Sequence, residues 1–208
     1  VGCISTDTPI TDLIGAPPAR PEIPETMRFS ASGLKTYQDC PLRFRFSYIL
    51  KIPEPPGASP AAAKGTSVHA VIEHLDPTKP AEMQVPALLE QFWTPDQFET
   101  RTQFDQDKVT ARELVETYLA WQAKNTNTIV EAEKEFSFTF AGREMHGFID
   151  RIEQTPGGGY VVIDFKSGSS KSSGITKKNL PENIQLNLYA LAIKELYGKL
   201  PERTTLFY

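Results

Sequence analysis

The chain predicts an α/β fold: a helix, three antiparallel strands, another helix and a last strand, behind an N-terminal helical region. Three observations carry this reading. Residues 147–168, GFIDRIEQTPGGGYVVIDFKSG, read as strand, turn, strand: Thr155-Pro156-Gly157-Gly158-Gly159 is strong turn punctuation, and Tyr160 to Lys166 is rich in β-branched residues and bounded by glycines. Ile129 to Phe140, with Phe136, Phe138 and Phe140 alternating, supplies a strand just upstream. Residues 180–198 space Leu186, Leu188, Ala190, Ile193 and Leu196 as a helix ending at Gly198. Thr204 to Tyr208 then opens another strand.

The chain has 208 residues, 39% hydrophobic and 23% charged, which suits one globular domain with a real core. Its net charge is −4, so it is not a generally basic protein, and any polyanion must be met by a local patch or by bound cations. The two cysteines, Cys3 and Cys40, make no disulfide framework, which points to a reducing, cytoplasmic setting. No run approaches the roughly 18 apolar residues of a membrane span, and there is no signal-peptide pattern. The first residue is Val and the last residues are LFY, which read as the ends of an excised fragment.

Residues 1–26, with Pro9, Pro17, Pro18, Pro21 and Pro24 among small polar residues, read as a flexible linker. Residues 27–208 form the domain. Ser30 or Ser32 caps a helix carrying Leu34 and Tyr37, and Pro41 opens a second. Leu42, Phe46, Ile49 and Leu50 form a stripe expected to pack in the core, and Cys40 is expected to be a small buried hydrophobe. Pro53 to Ala63 is a loop. Gly65 and Thr66 start a helix with Val68, Ile72 and Leu75 inward and an i,i+4 pair, His69 and Glu73, on one face. His74 reads as structural. Residues 76–105 are irregular apart from a short helix around Val85 to Trp93. Gln106 to Lys124 is amphipathic, with Val109, Leu114, Val115, Tyr118, Leu119 and Trp121 packing. Residues 167–178 form a polar loop carrying Lys171, Lys177 and Lys178, which with Arg43, Arg45 and Lys64 make a candidate phosphate-contacting patch.

Alternation along the strand at Tyr160 to Lys166 sends Val161, Ile163 and Phe165 to one face. Tyr160, Val162, Asp164 and Lys166 go to the other, and Asp150 lies on the neighbouring strand. Two carboxylates and an ammonium on a rigid sheet suit a hard divalent cation, Mg²⁺ or Mn²⁺, with the Phe165 carbonyl as a further oxygen. Lys166 would then orient and deprotonate an attacking water in phosphodiester hydrolysis. The plainer alternative is a salt bridge between Asp164 and Lys166 on an exposed face. Glu131, Glu133 and Glu135 alternate on the upstream strand, either as a solvated face or with Glu133 or Glu135 as one more acidic ligand. His146 shares a strand face with Asp150, roughly 13 Å away at strand rise, and reads as structural or as a DNA contact.

Together these segments resemble the RecB-like branch of the PD-(D/E)XK nuclease superfamily. The resemblance rests on GTSVH at 65–69, GFID at 147–150, DFKSG at 164–168 and QLNLY at 185–189, and spans about residues 29–208. Ile149 stands where the superfamily name has proline. The similarity implies a restriction-endonuclease-like αβββαβ core with a mixed central sheet flanked by helices. It implies His69 as a metal ligand beside Asp150, Asp164 and Phe165, with Glu73 supporting His69. It gives Gln185 and Tyr189 a place in the catalytic set with Asp150, Asp164 and Lys166. DNA is the implied substrate. A helicase domain or subunit is the implied partner, with exonuclease action in repair or recombination; the nearest resemblance is to the nuclease domain fused behind a superfamily 1 helicase, or to a free-standing relative of it.

The SxSxLxxYxxCPxxFxF opening at 30–46 is also shared with that branch, where the cysteine often ligates a [4Fe–4S] cluster. Cys40 has no cysteine after it, so no complete iron–sulfur cluster is possible within this chain. The competing readings are a DNA-end-binding module of a helicase complex that does not cut, and an iron–sulfur structural domain.

Overall fold

The structure is a computed structural model of the chain. It describes residues 23–53, 60–76, 78–93, 98, 100–168, 175–176 and 178–208. Most of the 1–26 segment therefore lies outside the described residues, as do Lys171 and Lys177.

Four strands make one mixed sheet in the order β1-β2-β3-β4. β1 (Thr128–Phe140) and β2 (Arg143–Gln154) pair antiparallel across a two-residue turn. Ala141 and Gly142 in that turn have φ of 50° and 74°, the left-handed pair that matches the twist of a tight hairpin. β2 pairs antiparallel with β3 (Tyr160–Phe165), and β3 pairs parallel with β4 (Arg203–Phe207). A parallel pair needs a crossover, which contains the last helix.

Ahead of the sheet come α1 (Ala31–Asp39), α2 (Pro41–Phe44), α3 (Pro60–His74), α4 (Ala81–Phe92) and α5 (Arg101–Gln122). The crossover carries α6 (Ile184–Tyr197), capped by Asn183 and ended by Gly198 in the left-handed conformation. Each face of the sheet has its own core. Val161, Ile163 and Phe165 pack with Val71 and Ile72 of α3, Leu89 of α4 and Val115 of α5. Val162, Ile149 and Ile152 pack with Leu188, Tyr189 and Ile193 of α6. β3 is thus buried on both faces, which explains its nearly continuous apolar run.

The expected strand and helix order holds, but several local expectations do not. α3 begins at Pro60, with proline in its first turn, so Gly65 lies inside the helix. α5 begins at Arg101, five residues before the expected start, because the Thr100 hydroxyl accepts from Gln103 N at 3.2 Å and caps it. Ser30 rather than Ser32 caps α1. Leu42, Phe46 and Leu50 are exposed, not core; Arg45–Ile49 is a π-helical turn, and the buried side chain here is Phe44. Cys40 is exposed too, spending its side chain as the cap of α2. Val109 faces solvent, while Ala111, Val115 and Tyr118 bury.

A charged pair is sealed beneath the α5 side of the sheet. Arg151 sets its guanidinium 5.0 Å from the Tyr118 ring centroid and 5.2 Å from that of Phe165, and donates to Gln122 at 2.9 Å. Glu153 is 0% exposed and accepts from Asn125 at 2.9 and 2.8 Å and from Asn127 at 3.1 Å. The two charges lie 3.9 Å apart, so neutral groups and rings serve them more than each serves the other, and the buried Arg151 Nε has no hydrogen bond. Glu153→Ala should leave Arg151 buried without its counter-charge and destabilise the fold by about 3–5 kcal/mol in urea unfolding. A loss below about 1 kcal/mol would show that the asparagines and rings suffice.

Candidate active site

At the end of β3 the helix α3 comes close to the sheet. A Cβ on Gly65 would stand 2.7 Å from the Ser167 hydroxyl, so glycine lets α3 lie against the segment leaving β3. One helical turn later, His69 reaches that strand end. Its Nε2 lies 2.9 Å from the Phe165 carbonyl oxygen. A carbonyl only accepts, so Nε2 carries a proton. Nδ1 faces Asp150 Oδ2 at 3.8 Å and Glu133 Oε1 at 4.0 Å. Asp150 Oδ2 in turn accepts from Phe165 N–H at 2.7 Å. Both polar groups of Phe165 are therefore taken by site side chains.

Glu133 reaches this point through an unusual backbone. It has φ of 47°, a left-handed conformation that costs a non-glycine residue, and it sits between the ladder pairs Ala132↔Arg151 and Lys134↔Ile149. The kink brings its carboxylate to Asp150 and His69. Ligand atoms of His69, Glu133 and Asp150 all lie within 4.8 Å of one another. Glu135 is exposed and outside this group. Glu73 does not support His69; it lies 4.0 Å from His74, and the Phe165 carbonyl orients His69 instead.

Asp164, Lys166, Gln185 and Tyr189 form a second group, a closed ring of contacts. Lys166 Nζ stands 2.6 Å from Asp164 Oδ2 and donates to Gln185 Oε1 at 2.9 Å. Gln185 Nε2 donates to the Tyr189 oxygen at 2.7 Å, and the Tyr189 hydroxyl donates to Asp164 Oδ1 at 3.3 Å. The i,i+4 spacing of Gln185 and Tyr189 on α6 gives both the same side of the helix. The plain surface salt bridge is ruled out, because Asp164 is buried at 1% exposure.

Burial dominates the electrostatics. It pushes the Asp150 carboxyl up to about 6, the nearby Asp164 charge adding to the rise and His69 opposing it. Burial also raises Asp164, with Lys166 as the main opposing influence, and raises Glu133 against the pull of His69. Tyr189 is held well above its ordinary value by burial and by the two aspartates, so it stays a hydrogen-bond donor. Asp164 Oδ2 has no hydrogen bond of good geometry despite the close ammonium. Crowded carboxylates with an imidazole nitrogen beside them, all within 4.8 Å, fit a hard divalent cation.

The other expected contributors divide. Lys64 is paired with Asp107 at 2.8 Å and belongs to packing between α3 and α5 rather than to a phosphate patch. Lys178 is exposed. His146 lines a groove beside Lys166, Gln185 and Tyr189. The Phe165 carbonyl, expected to face a cation together with His69, lies 2.9 Å from His69 Nε2. Nothing in the sequence announces the left-handed Glu133 or the double grip on Phe165.

Asp150 sets a pH response. Between its unfolded value of 3.8 and about 6, the folded chain holds a proton that the unfolded chain has released, so this carboxyl's contribution to stability falls as pH rises through that window. In EDTA, wild type should lose up to about 3 kcal/mol relative to Asp150→Asn between pH 4 and pH 7. Mg²⁺ or Mn²⁺ should recover it at pH 7 but not at pH 4. Urea unfolding of both chains at both pH values checks this, and parallel pH curves would mean that Asp150 ionises freely.

Residues 28–208 match the family model described as the PD-(D/E)XK nuclease superfamily. No curated protein matches the chain. No helix among the described residues is long and apolar enough to cross a membrane.

Proposed function

The chain belongs to the PD-(D/E)XK nuclease superfamily, and from that premise we propose that it is a RecB-like, Mg²⁺- or Mn²⁺-dependent deoxyribonuclease domain. Membership implies a metal-dependent phosphodiester hydrolase. The observation that carries the finer reading is the convergence at one strand end. His69, Glu133 and Asp150 gather at the Phe165 peptide, and the ring of Asp164, Lys166, Gln185 and Tyr189 adjoins them, the Asp164 charge acting on both Asp150 and Glu133. The motif order of the sequence meets there in space. Exonuclease action beside a helicase domain or subunit, in repair or recombination, is the role this reading assigns.

In the mechanism, Asp150, Asp164, Glu133 and His69 Nδ1 would hold the cation. When bound, the cation supplies neutralisation of phosphate charge and acidification of a water. The chain's own residues do the rest. The Phe165 carbonyl keeps a proton on His69 Nε2, so Nδ1 is the ring nitrogen left for the cation. Lys166 projects its ammonium at the rim of the site, where it orients the attacking water and stabilises charge developing on the phosphate. Gln185 accepts from Lys166 and fixes its position, and Tyr189 holds Asp164 in one rotamer.

Lys166→Ala and Asp164→Ala should each lower cleavage of end-labelled DNA at least about a hundredfold while the chain stays folded by thermal melting. Gln185→Ala, which acts through Lys166, should lose about ten- to a hundredfold. EDTA should abolish cleavage in all of them. Full cleavage by Lys166→Ala would sink the assignment. Metal-independent binding without cleavage by wild type would favour the end-binding module instead.

A further inference from the structure

The GFID segment of β2 holds a residue that the chemistry does not use. Gly147 lies inside the strand, where glycine has no side chain to pack and weakens the pairing. Its backbone is not left-handed; among the described residues the glycines with positive φ are Gly142, Gly158 and Gly198. Backbone conformation therefore does not ask for glycine at 147, and space does. Gly147 stands directly opposite Phe136 of β1 in the ladder. A Cβ on Gly147 would meet Phe136 Cζ at 3.0 Å and Cε1 at 3.1 Å, so the phenyl ring lies over the glycine. Phe136 is 2% exposed, so its ring has other atoms on its remaining sides.

One of those neighbours belongs to the site. Phe136 meets Tyr189 edge to face, with ring centroids 6.0 Å apart and planes at 87°. Both rings belong to the core on the α6 side of the sheet, with Ile149, Val162 and Leu188. The Tyr189 hydroxyl donates to Asp164 Oδ1 at 3.3 Å. That is already long for a hydroxyl donor, whose bonds run to about 3.0 Å. A strand side chain rises from the plane of the sheet, so a methyl group at 147 pushes the Phe136 ring toward α6. The ring must give by a few tenths of an ångström. Such a shift is small for a core and large for a hydrogen bond of 3.3 Å. Resting on the nuclease reading above, we infer that Gly147 is a positioning residue for cleavage. Its missing side chain lets Phe136 lie close above β2, Phe136 in turn seats Tyr189, and the Tyr189 hydroxyl holds Asp164. Gly147 and Phe136 do not react; both act through Tyr189.

The test follows Tyr189 itself, in the full chain carrying ¹³Cζ-labelled tyrosine, with its resonance assigned by Tyr189→Phe. Gly147→Ala should move that resonance as the hydroxyl loses its carboxylate partner. It should also lower kcat on end-labelled DNA about ten- to a hundredfold, the range for one hydrogen bond to a charged group, with KM unchanged. In a Tyr189→Phe background Gly147→Ala should cost nothing further, because the hydroxyl it displaces is already gone. The same should hold in a Phe136→Leu background, where no ring is left to push. Phe136→Leu alone leaves β2 intact and should itself move the Tyr189 resonance, so it carries the test if Gly147→Ala fails to fold by thermal melting. A merely structural role would make the losses additive, and equal loss from Gly147→Ala in the wild-type and Tyr189→Phe backgrounds overturns this inference. So does an unmoved Tyr189 resonance in Gly147→Ala or in Phe136→Leu while wild type cuts DNA, which leaves the nuclease reading intact. A wild type that cuts no DNA with Mg²⁺ or Mn²⁺ overturns the nuclease reading and this inference with it.

Discussion

The Phe165 peptide is the constraint on which the rest of this structure depends. Paired β2 and β3 positions run only to Arg151↔Ile163, while on the other side β3 continues its ladder with β4, and Lys166 N–H still reaches the Phe207 carbonyl at 2.7 Å. The Phe165 N–H and C=O therefore emerge at a strand end without backbone partners, in a place too buried for water to serve them freely. Asp150 takes the N–H and His69 takes the C=O. Two side chains that look like metal chemistry in the sequence are also the caps that let the sheet end there. Their positions follow from backbone hydrogen-bond satisfaction, so the site is as rigid as the strand it terminates.

That rigidity has an electrostatic cost. Asp150, Asp164 and Glu133 are all raised by burial, so the fold holds acids where they resist ionising. The contrast with Arg151 and Glu153 is instructive. That pair is as deeply buried as Asp164, yet Gln122, Asn125, Asn127 and two aromatic rings serve it, leaving only the Arg151 Nε without a hydrogen bond. Around Asp150 the protein supplies one N–H and a distant imidazole nitrogen, and around Glu133 it supplies less while straining the backbone to bring the carboxylate in. A group left underserved at a strained position, beside others like it, marks a place organised for something the chain does not itself contain. A divalent cation resolves the repulsion and the missing contacts together.

Much of this was legible in the sequence, for physical reasons. The period-2 pattern of residues 160–166 placed Asp164 with Val162 and opposite Ile163, as found, because a strand buried on both faces cannot slip register without exposing one of them. The helical spacing of Gln185 and Tyr189 put both on one side of α6, where Tyr189 reaches Asp164 and Gln185 reaches Lys166. Helix starts were less legible. Thr100 with Gln103 is a capping pattern that the prolines nearby obscured, and Pro60 marks a helix start that reads as loop when alanine follows. The apolar stripe from Leu42 to Leu50 misled because hydrophobicity reports a tendency to bury, not the partner that buries it, and among the described residues none covers it. The choice of Glu133 over Glu135 was beyond sequence logic, because regular alternation puts both on one face and only a left-handed kink separates them.

The same kink bears on how an acidic chain handles a polyanion. Glu133 adds negative charge next to the place where a phosphate must come, which is unfavourable until a cation occupies the trio. Cation binding and substrate binding are therefore coupled: a phosphate meets a repulsive site before the cation enters and an attractive one after. Long-range attraction from the protein itself is weak at a net charge of −4, so contacts that do not depend on charge gain importance in the approach. Charge neutralisation is thus concentrated at the end of β3, where His69, Glu133 and Asp150 gather.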